Sequence, residues 1–229
     1  MTPGLLGDAL RAFEDEAMAF AQGLAGLPAQ AWGCRTRCVP WSVADVVGHV
    51  ITVLARVPDM IAEPAPDRSD TTATGYYRAD HRFSENANAD RIRTAHRRAA
   101  GSDGTSLVHD LAVMARTVIA SSRQEPIGRI VRTRHGDAIL LSDFLTTRVV
   151  ELAVHGLDVT DALGREPWLT VAAAEHLQQL MFGPAWRTAT ARRGWDPVTL
   201  LRRTTGRDSA ASEDSAELAR LGFRSWTLG

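Results

Sequence analysis

The chain has 229 residues, of which 45% are hydrophobic and 23% charged, and its formal net charge is −1. This composition is typical of a globular protein with one sizeable core or two small ones, and the balanced charge argues against a nucleic-acid partner, which usually requires a basic face. There is no apolar run of about 18 residues, so we expect no membrane partner, and the absence of lysine excludes Schiff-base chemistry and a Walker A loop.

The N-terminal half of the chain predicts a series of helices. Apolar residues at spacings of three and four predict an amphipathic helix over 5–25. Because no basic stretch precedes these apolar residues, we interpret the segment as a helix rather than a signal peptide and expect a cytoplasmic protein. Ser42 followed three residues later by Asp45 is typical of a helix start and predicts a helix over 43–62. Two further helices are predicted over 76–100 and 105–122.

Cys34 and Cys38 are the two cysteines of the chain. Their spacing could serve a metal ion, but no second cysteine pair completes a cysteine-only site. A disulfide is not expected in a reducing cytoplasm. We therefore interpret both as ordinary buried or half-buried residues.

The middle of the chain predicts a hairpin followed by a long helix. The stretch "GRIVRTRHGDAILL" has two β-rich runs around a Gly-Asp turn, which is typical of a short hairpin. Ser142 then predicts the start of a helix over 143–163, and Gly164 predicts its end.

The C-terminal part predicts a different pattern. One helix is expected over 169–183, whereas "DPVTLLRRTTGR" and "FRSWTLG" are typical of strands, with a short helix over 213–221 between them. The sequence therefore predicts a mainly α protein, with a helical body over 1–166 and a small α/β domain over 167–229.

Ionisable residues form one stripe on the helix predicted over 143–163. Glu151 and His155 are four residues apart, about 40° around a helix, so they share a face. Arg148 and Asp158 extend this stripe, and apolar residues occupy nearly every other direction. A buried carboxylate is normally paired or bound to a metal, and Glu151 and His155 can present an oxygen and a nitrogen to the same ion.

A third ligand must come from another helix. His49, on the valine-rich helix predicted over 43–62, is the best candidate and could face Glu151 and His155 across a bundle core. Two histidines and one glutamate form the ligand set of several catalytic zinc sites, which keep a position open for water or substrate. The alternative is a salt-bridged surface stripe that includes Arg148, with His49 as a hydrogen-bonded core residue.

Two motifs resemble a known family. "CVPWSVADVVGHV" resembles the "CPGW-T-V-x-D-L-V-x-H-L" opening of the mycothiol-dependent maleylpyruvate isomerase family, within the DinB-like helical-bundle superfamily. "FLTTRVVELAVHGLDVTDALG" resembles that family's "YL-x-T-R-x-x-E-x-x-V-H-x-x-D-L-x-x-A-L-G", and "TTGR" resembles its late "TGR". The chain departs from the family in having "CVPW" for "CPGW", a change that affects a loop.

The resemblance implies a DinB-like four-helix bundle followed by a small α/β domain. It also implies a divalent ion, most often zinc, held by a histidine of the second helix and by the E-x-x-x-H of the last bundle helix. These positions correspond to His49, Glu151 and His155, and all three are present.

The family resemblance further implies a low-molecular-weight thiol, mycothiol or a similar one, as cosubstrate. We expect an isomerase or S-transferase that acts on a small electrophile, and a chain that is a monomer or a homodimer. A non-catalytic metal-binding module and a metal-dependent hydrolase of a small amide or ester remain as alternatives.

Several neighbours of the metal ligands are candidates for supporting roles. Asp158 could orient His155, or instead pair with Arg148 or Arg165, and Asp45 could serve His49 in the same way. Arg148 is expected beside the site as an extension of the stripe. Arg207 of "TTGR" is the candidate catalytic residue, because a guanidinium matches a substrate carboxylate bidentately; the alternative is an arginine on the surface.

Overall fold

The computed structural model describes residues 5–78, 80–81, 84–208, 216 and 218–223. This part of the chain is mainly helical, as the sequence predicts. The helices are α1 (Leu5–Leu24), α2 (Val43–Ala62), α3 (Ala73–Tyr76), α4 (Glu85–Ala99), α5 (Gly104–Arg123), α6 (Leu141–Leu163), α7 (Val171–Phe182), α8 (Trp186–Arg193) and α9 (Pro197–Thr204). The strands are β1 (Ile130–Arg132) and β2 (Ala138–Leu140). None of the described helices combines the length and apolar character needed to span a membrane.

Helices α1, α2, α5 and α6 form a four-helix bundle. Helix α1 packs against α5 and α6, and α2 packs against the same two helices on the other side. Helix α4 covers α2 from outside the bundle, and α7 packs on α1 and α6. Helix α6 is buried almost all round from Leu141 to Thr160, which explains why its sequence is apolar in nearly every direction.

The ends of α2 and α6 follow from local hydrogen bonds. Ser42 and Asp45 form the predicted capping box at the start of α2, and Gly164 ends α6 in the left-handed conformation, with a φ of 61°. The prediction that Ser142 caps α6 is wrong. Strand β2 runs directly into the helix, and the Leu141 amide donates to the Arg129 carbonyl, so the hairpin satisfies the start of α6.

The predicted hairpin is confirmed. Strands β1 and β2 are antiparallel, with Ile130 opposite Leu140. The Thr133 amide donates to the Asp137 carbonyl at 2.8 Å, and Gly136 has a φ of 93°, which a glycine adopts without strain. The turn between the strands therefore has a defined shape.

Two predicted elements differ in the structure. The charged helix predicted over 76–100 begins only at Glu85, because Ser84 caps α4 there. The strand predicted within 196–207 is helix α9: the Asp196 side chain accepts from the next amides, and Pro197 occupies the first helical turn, a strong helix start.

The end of the chain is only partly described. The predicted strand over 223–229 lies outside the described residues except for Phe223, and the described positions of the predicted helix over 213–221 include helical residues. The division between 1–166 and 167–229 remains a prediction.

Candidate metal centre

Helices α2 and α6 bring three potential ligands together, which we call the metal triad: His49, Glu151 and His155. The Oε2 atom of Glu151 lies 3.3 Å from Nε2 of His49 and 3.3 Å from Nε2 of His155. One ligand atom of each residue lies within 4.8 Å of the other two. Ligand atoms held tetrahedrally about 2.1 Å from zinc stand roughly 3.4 Å apart, so the donor types and the spacing of Glu151 from both histidines fit a divalent ion.

The protonation of the triad suits a cation. Burial lowers the pKa of His49, which keeps its imidazole neutral. Burial alone would raise the pKa of Glu151. Hydrogen bonds with the two histidines, together with the positive charge of Arg148, instead hold this pKa well below its usual range. Burial alone would lower the pKa of His155. Its hydrogen bonds, of which that with Asp158 is the strongest, instead raise this pKa well above its usual range. A proton on His155 thus balances buried carboxylates, a role that a bound cation would take over.

Asp158 lies fully buried one turn beyond His155 and has three partners. His155 Nδ1 lies 2.9 Å from its Oδ2, and the Cys38 thiol donates to the same oxygen at 3.2 Å. Arg207 binds both carboxylate oxygens, at 2.9 and 2.8 Å. Burial alone would raise the pKa of Asp158, but His155 and Arg207 hold it below its usual range. Because Asp158 engages Nδ1, the Nε2 atom of His155 is left to face Glu151.

Arg207 is engaged by the protein itself. Besides the two bonds to Asp158, its third nitrogen donates to the Thr205 carbonyl at 3.0 Å. Arg207 lines the cavity described below, but a direct grip on a substrate carboxylate would require exchange of one of these bonds. The observed geometry favours a role in holding Asp158.

Arg148 is buried behind Glu151, with a side chain that is 2% exposed. It donates to the Val53 carbonyl at 3.0 Å and to the Thr147 hydroxyl at 3.2 and 3.0 Å, and it lies 3.9 Å from Glu151 Oε1. Its guanidinium also stands 4.5 Å from the Phe144 ring centroid. The interpretation of the stripe as a solvated surface is therefore wrong.

Asp45 does not support His49 as the sequence suggested. Its carboxylate accepts from the amide and hydroxyl of Ser42 at 2.9 and 2.6 Å, and it lies 2.8 Å from His96 Nδ1. These contacts cap α2 and join it to α4, and they use the groups with which Asp45 was expected to reach His49.

A cavity of about 320 Å³ opens beside the metal triad. The Trp41 ring stacks 4.8 Å from the His49 ring and lies 6.2 Å from that of His155. Tyr77, also in the wall, donates its hydroxyl to the Thr147 carbonyl at 3.0 Å. Among the described residues, five arginines line the cavity: Arg56, Arg91, Arg134, Arg148 and Arg207.

Sequence reasoning missed several of these residues, although signals for some were present. Cys38 and Trp41 lie in the "CVPW" stretch just before α2. Cys38 is half-buried, as predicted, and its contact with Asp158 was not foreseen. Arg56 is seven residues after His49, two turns along the same helix face. Arg91 and Arg134 come from α4 and the hairpin turn, so no local pattern links them to the site.

The family model described as the mycothiol maleylpyruvate isomerase N-terminal domain matches residues 13–160. Two solved structures share the fold: a mycothiol-dependent maleylpyruvate isomerase, with 14% identity, and a mutant of it, with 13%. Each superposes on this chain with a TM-score of 0.54, and the matched region covers 77% of this chain and 69% of the solved chain. No curated protein sequence matches the chain. Because the family model spans more than half of its length, the chain belongs to the family of the mycothiol maleylpyruvate isomerase N-terminal domain.

Proposed function

We propose that the protein is a divalent-metal-dependent enzyme, with zinc as the expected ion, that uses a low-molecular-weight thiol such as mycothiol to isomerise or conjugate a small electrophile. The observation that carries this proposal is the convergence of His49 Nε2, Glu151 Oε2 and His155 Nε2 at the wall of an open cavity. When bound, the ion would supply the positive charge that favours the reactive thiolate near neutral pH.

The residues of the chain itself prepare the site. Asp158 fixes the ring of His155 through Nδ1, so that Nε2 stays available. Arg148 and the two histidines keep Glu151 ionised although it is buried. Trp41 and Tyr77 line the cavity beside the metal triad.

The reaction begins with addition of the thiol sulfur to an electrophilic carbon. With a conjugated double bond, a sulfur–carbon bond forms and the π electrons move toward the conjugated acceptor group. In an isomerase, the adduct rotates about the former double bond and expels the thiol unchanged. In a transferase, a proton completes the adduct, which leaves as the product. Family membership supports the isomerase, and the size of the cavity suits a small substrate.

The open cavity favours an enzyme over a binding module. A structural zinc site is usually closed by four protein ligands, whereas a catalytic site keeps a position for water or substrate. The metal triad supplies three ligands and borders open space. A water-activating hydrolase would use the same arrangement, and it differs in needing no thiol.

The test is an assay of zinc-loaded protein with mycothiol and maleylpyruvate, in which the cis isomer and the free thiol are followed together. An isomerase consumes the cis isomer and returns the thiol, and a transferase consumes both. Either activity should be lost in Glu151→Gln and kept in His109→Ala, since His109 is an exposed histidine of α5. Metal binding without turnover of this or related electrophiles, or turnover without thiol, would overturn the proposal.

A further inference from the structure

Three arginines from separate elements meet at the cavity, and we call them the arginine cluster. Arg56 comes from α2, Arg91 from α4 and Arg134 from the turn between β1 and β2. All three line the cavity that also borders the metal triad. A molecule in this cavity is therefore within reach of both groups.

Two members of the arginine cluster, Arg56 and Arg134, have no carboxylate partner among the described residues of the cavity wall. Of the other two lining arginines, Arg148 faces Glu151 and Arg207 binds Asp158. Glu151 is the one carboxylate among the described residues that line the cavity. Within the described part of the chain, neither Arg56 nor Arg134 has an ion-pair partner, and Arg134 donates its Nε only to His135, at 3.2 Å.

The cluster arginines also repel one another. Burial lowers the pKa of Arg134, and the positive charges of Arg56 and Arg91 lower it further, while Tyr76 and Asp90 act in the opposite direction. Arg56 and Arg91 are half-buried, whereas Arg134 is exposed, and like charges held near one another at a partly buried site are costly unless an anion joins them. A protein can keep such an arrangement when a ligand supplies the opposite charge.

The elements that carry the cluster are well held. Arg91 donates to Asn88 Oδ1 on the preceding turn of α4, at 2.5 Å. Arg134 sits in the turn whose shape is set by the bond from the Thr133 amide to the Asp137 carbonyl. The bond to Asn88 thus orients the Arg91 guanidinium, whereas for Arg134 it is the backbone that is held. A guanidinium presents paired donors that match the oxygens of a carboxylate or phosphate.

We propose that the arginine cluster binds a dianionic end of the substrate, either two carboxylates or one phosphate. The two unpaired guanidiniums and Arg91 together compensate more than a single negative charge, which favours a dianion over a monoanion. If the anionic end of a small molecule binds to the arginine cluster, the rest of the molecule can extend toward the metal triad, which borders the same cavity. The inference rests on the proposed function only in taking this cavity as the substrate pocket.

The test measures anion binding directly by isothermal titration calorimetry. The probes are inorganic phosphate and succinate, each titrated into zinc-loaded protein. The test variant is Arg56→Gln/Arg134→Gln, and the control is Arg93→Gln/Arg97→Gln, which removes the same charge from exposed positions of α4. Circular dichroism and the melting temperature establish that both variants are folded.

We expect at least one probe to bind the wild type and the control alike, with affinity that falls as salt rises. The test variant should bind it about tenfold more weakly or worse, since hydrogen bonds to charged groups are lost. Preference for phosphate or for succinate identifies the kind of dianion. No binding of either probe, or equal binding by both variants, would overturn the inference.

His155→Ala separates this inference from the proposed function. If the anion is bound by the arginine cluster, phosphate or succinate still binds this variant even when its metal is lost. Binding that disappears with the metal would place the anion at the triad and contradict the inference. The thiol assay above depends on the triad, so each proposal can fail without the other.

Discussion

The two charged parts of the cavity wall differ in how their charges are balanced. Around the metal triad each charge has a partner, since Asp158 is bound by Arg207 and Glu151 by Arg148. In the arginine cluster, Arg56 has no ion-pair partner within the described residues. A buried charge that is paired within the protein maintains the site, whereas a charge in the cavity wall without such a partner is available to a ligand.

The largest effect is expected where a balanced charge is removed from the interior. Arg148→Met would leave Glu151 and the Val53 carbonyl without the guanidinium, and breaking a buried ion pair costs about 3–5 kcal/mol. Urea unfolding of wild type and variant measures this loss. Arg116→Met, at an exposed position of α5, should change stability by only about 0.5 kcal/mol. Equal stability of the two variants would contradict the account.

Glu16 extends the comparison, because it is a buried carboxylate that has no ion-pair partner among the residues the structure describes. Its Oε2 accepts from the Thr170 amide and hydroxyl at 2.9 and 2.7 Å, and burial raises its pKa to about 7. The folded state therefore holds the Glu16 proton more tightly than the unfolded state does. The stability that this proton contributes is fully present at a pH below the unfolded pKa, and it is lost as the pH rises through about 7.

Glu16→Gln removes this titration. Between pH 5 and pH 8 the wild type should lose about 2.5 kcal/mol more stability than the variant, because each tenfold difference in proton affinity between the folded and unfolded states is worth about 1.4 kcal/mol. Urea unfolding at both pH values checks this. The same pH dependence in both proteins would show that Glu16 titrates normally.

A smaller effect is expected where the partner of a metal ligand is neutralised. Asp158→Asn keeps the shape of the side chain but weakens its hold on His155 and Arg207, and changes of this kind typically cost 10–100-fold in metal affinity. Competition with a chromophoric zinc chelator gives the affinity. Asp161→Asn is the matched control, since Asp161 lies on the same helix and pairs with Arg202 away from the triad. Equal affinities in the two variants would remove Asp158 from the site.

Much of the fold and the core of the site could be predicted because their signals are local. The capping box at Ser42, the spacing of Glu151 and His155, and Gly164 each depend on residues within one or two helical turns. His49 could be proposed as the third ligand because it lies on an apolar helix, α2, which was expected to pack into the bundle. These features need only the periodicity of a helix.

The remainder depends on contacts between distant segments. Arg207 was expected to bind a substrate carboxylate, and in the structure it binds the carboxylate of Asp158, 49 residues away. No periodicity links Arg56, Arg91 and Arg134, which meet only after three elements have packed. The strand expected at "DPVTLLRRTTGR" failed for a local reason, since Asp196 and Pro197 are a helix start that outweighs the β-rich composition.

The most direct test of the account is the metal content of tag-free protein purified without chelators, measured by inductively coupled plasma mass spectrometry. Wild type and His109→Ala should contain zinc equimolar with the chain, and His49→Ala and His155→Ala should contain almost none. A wild-type protein without bound metal, even after zinc is supplied and the excess removed, would contradict the account. The metal triad would then be a buried ion-pair network.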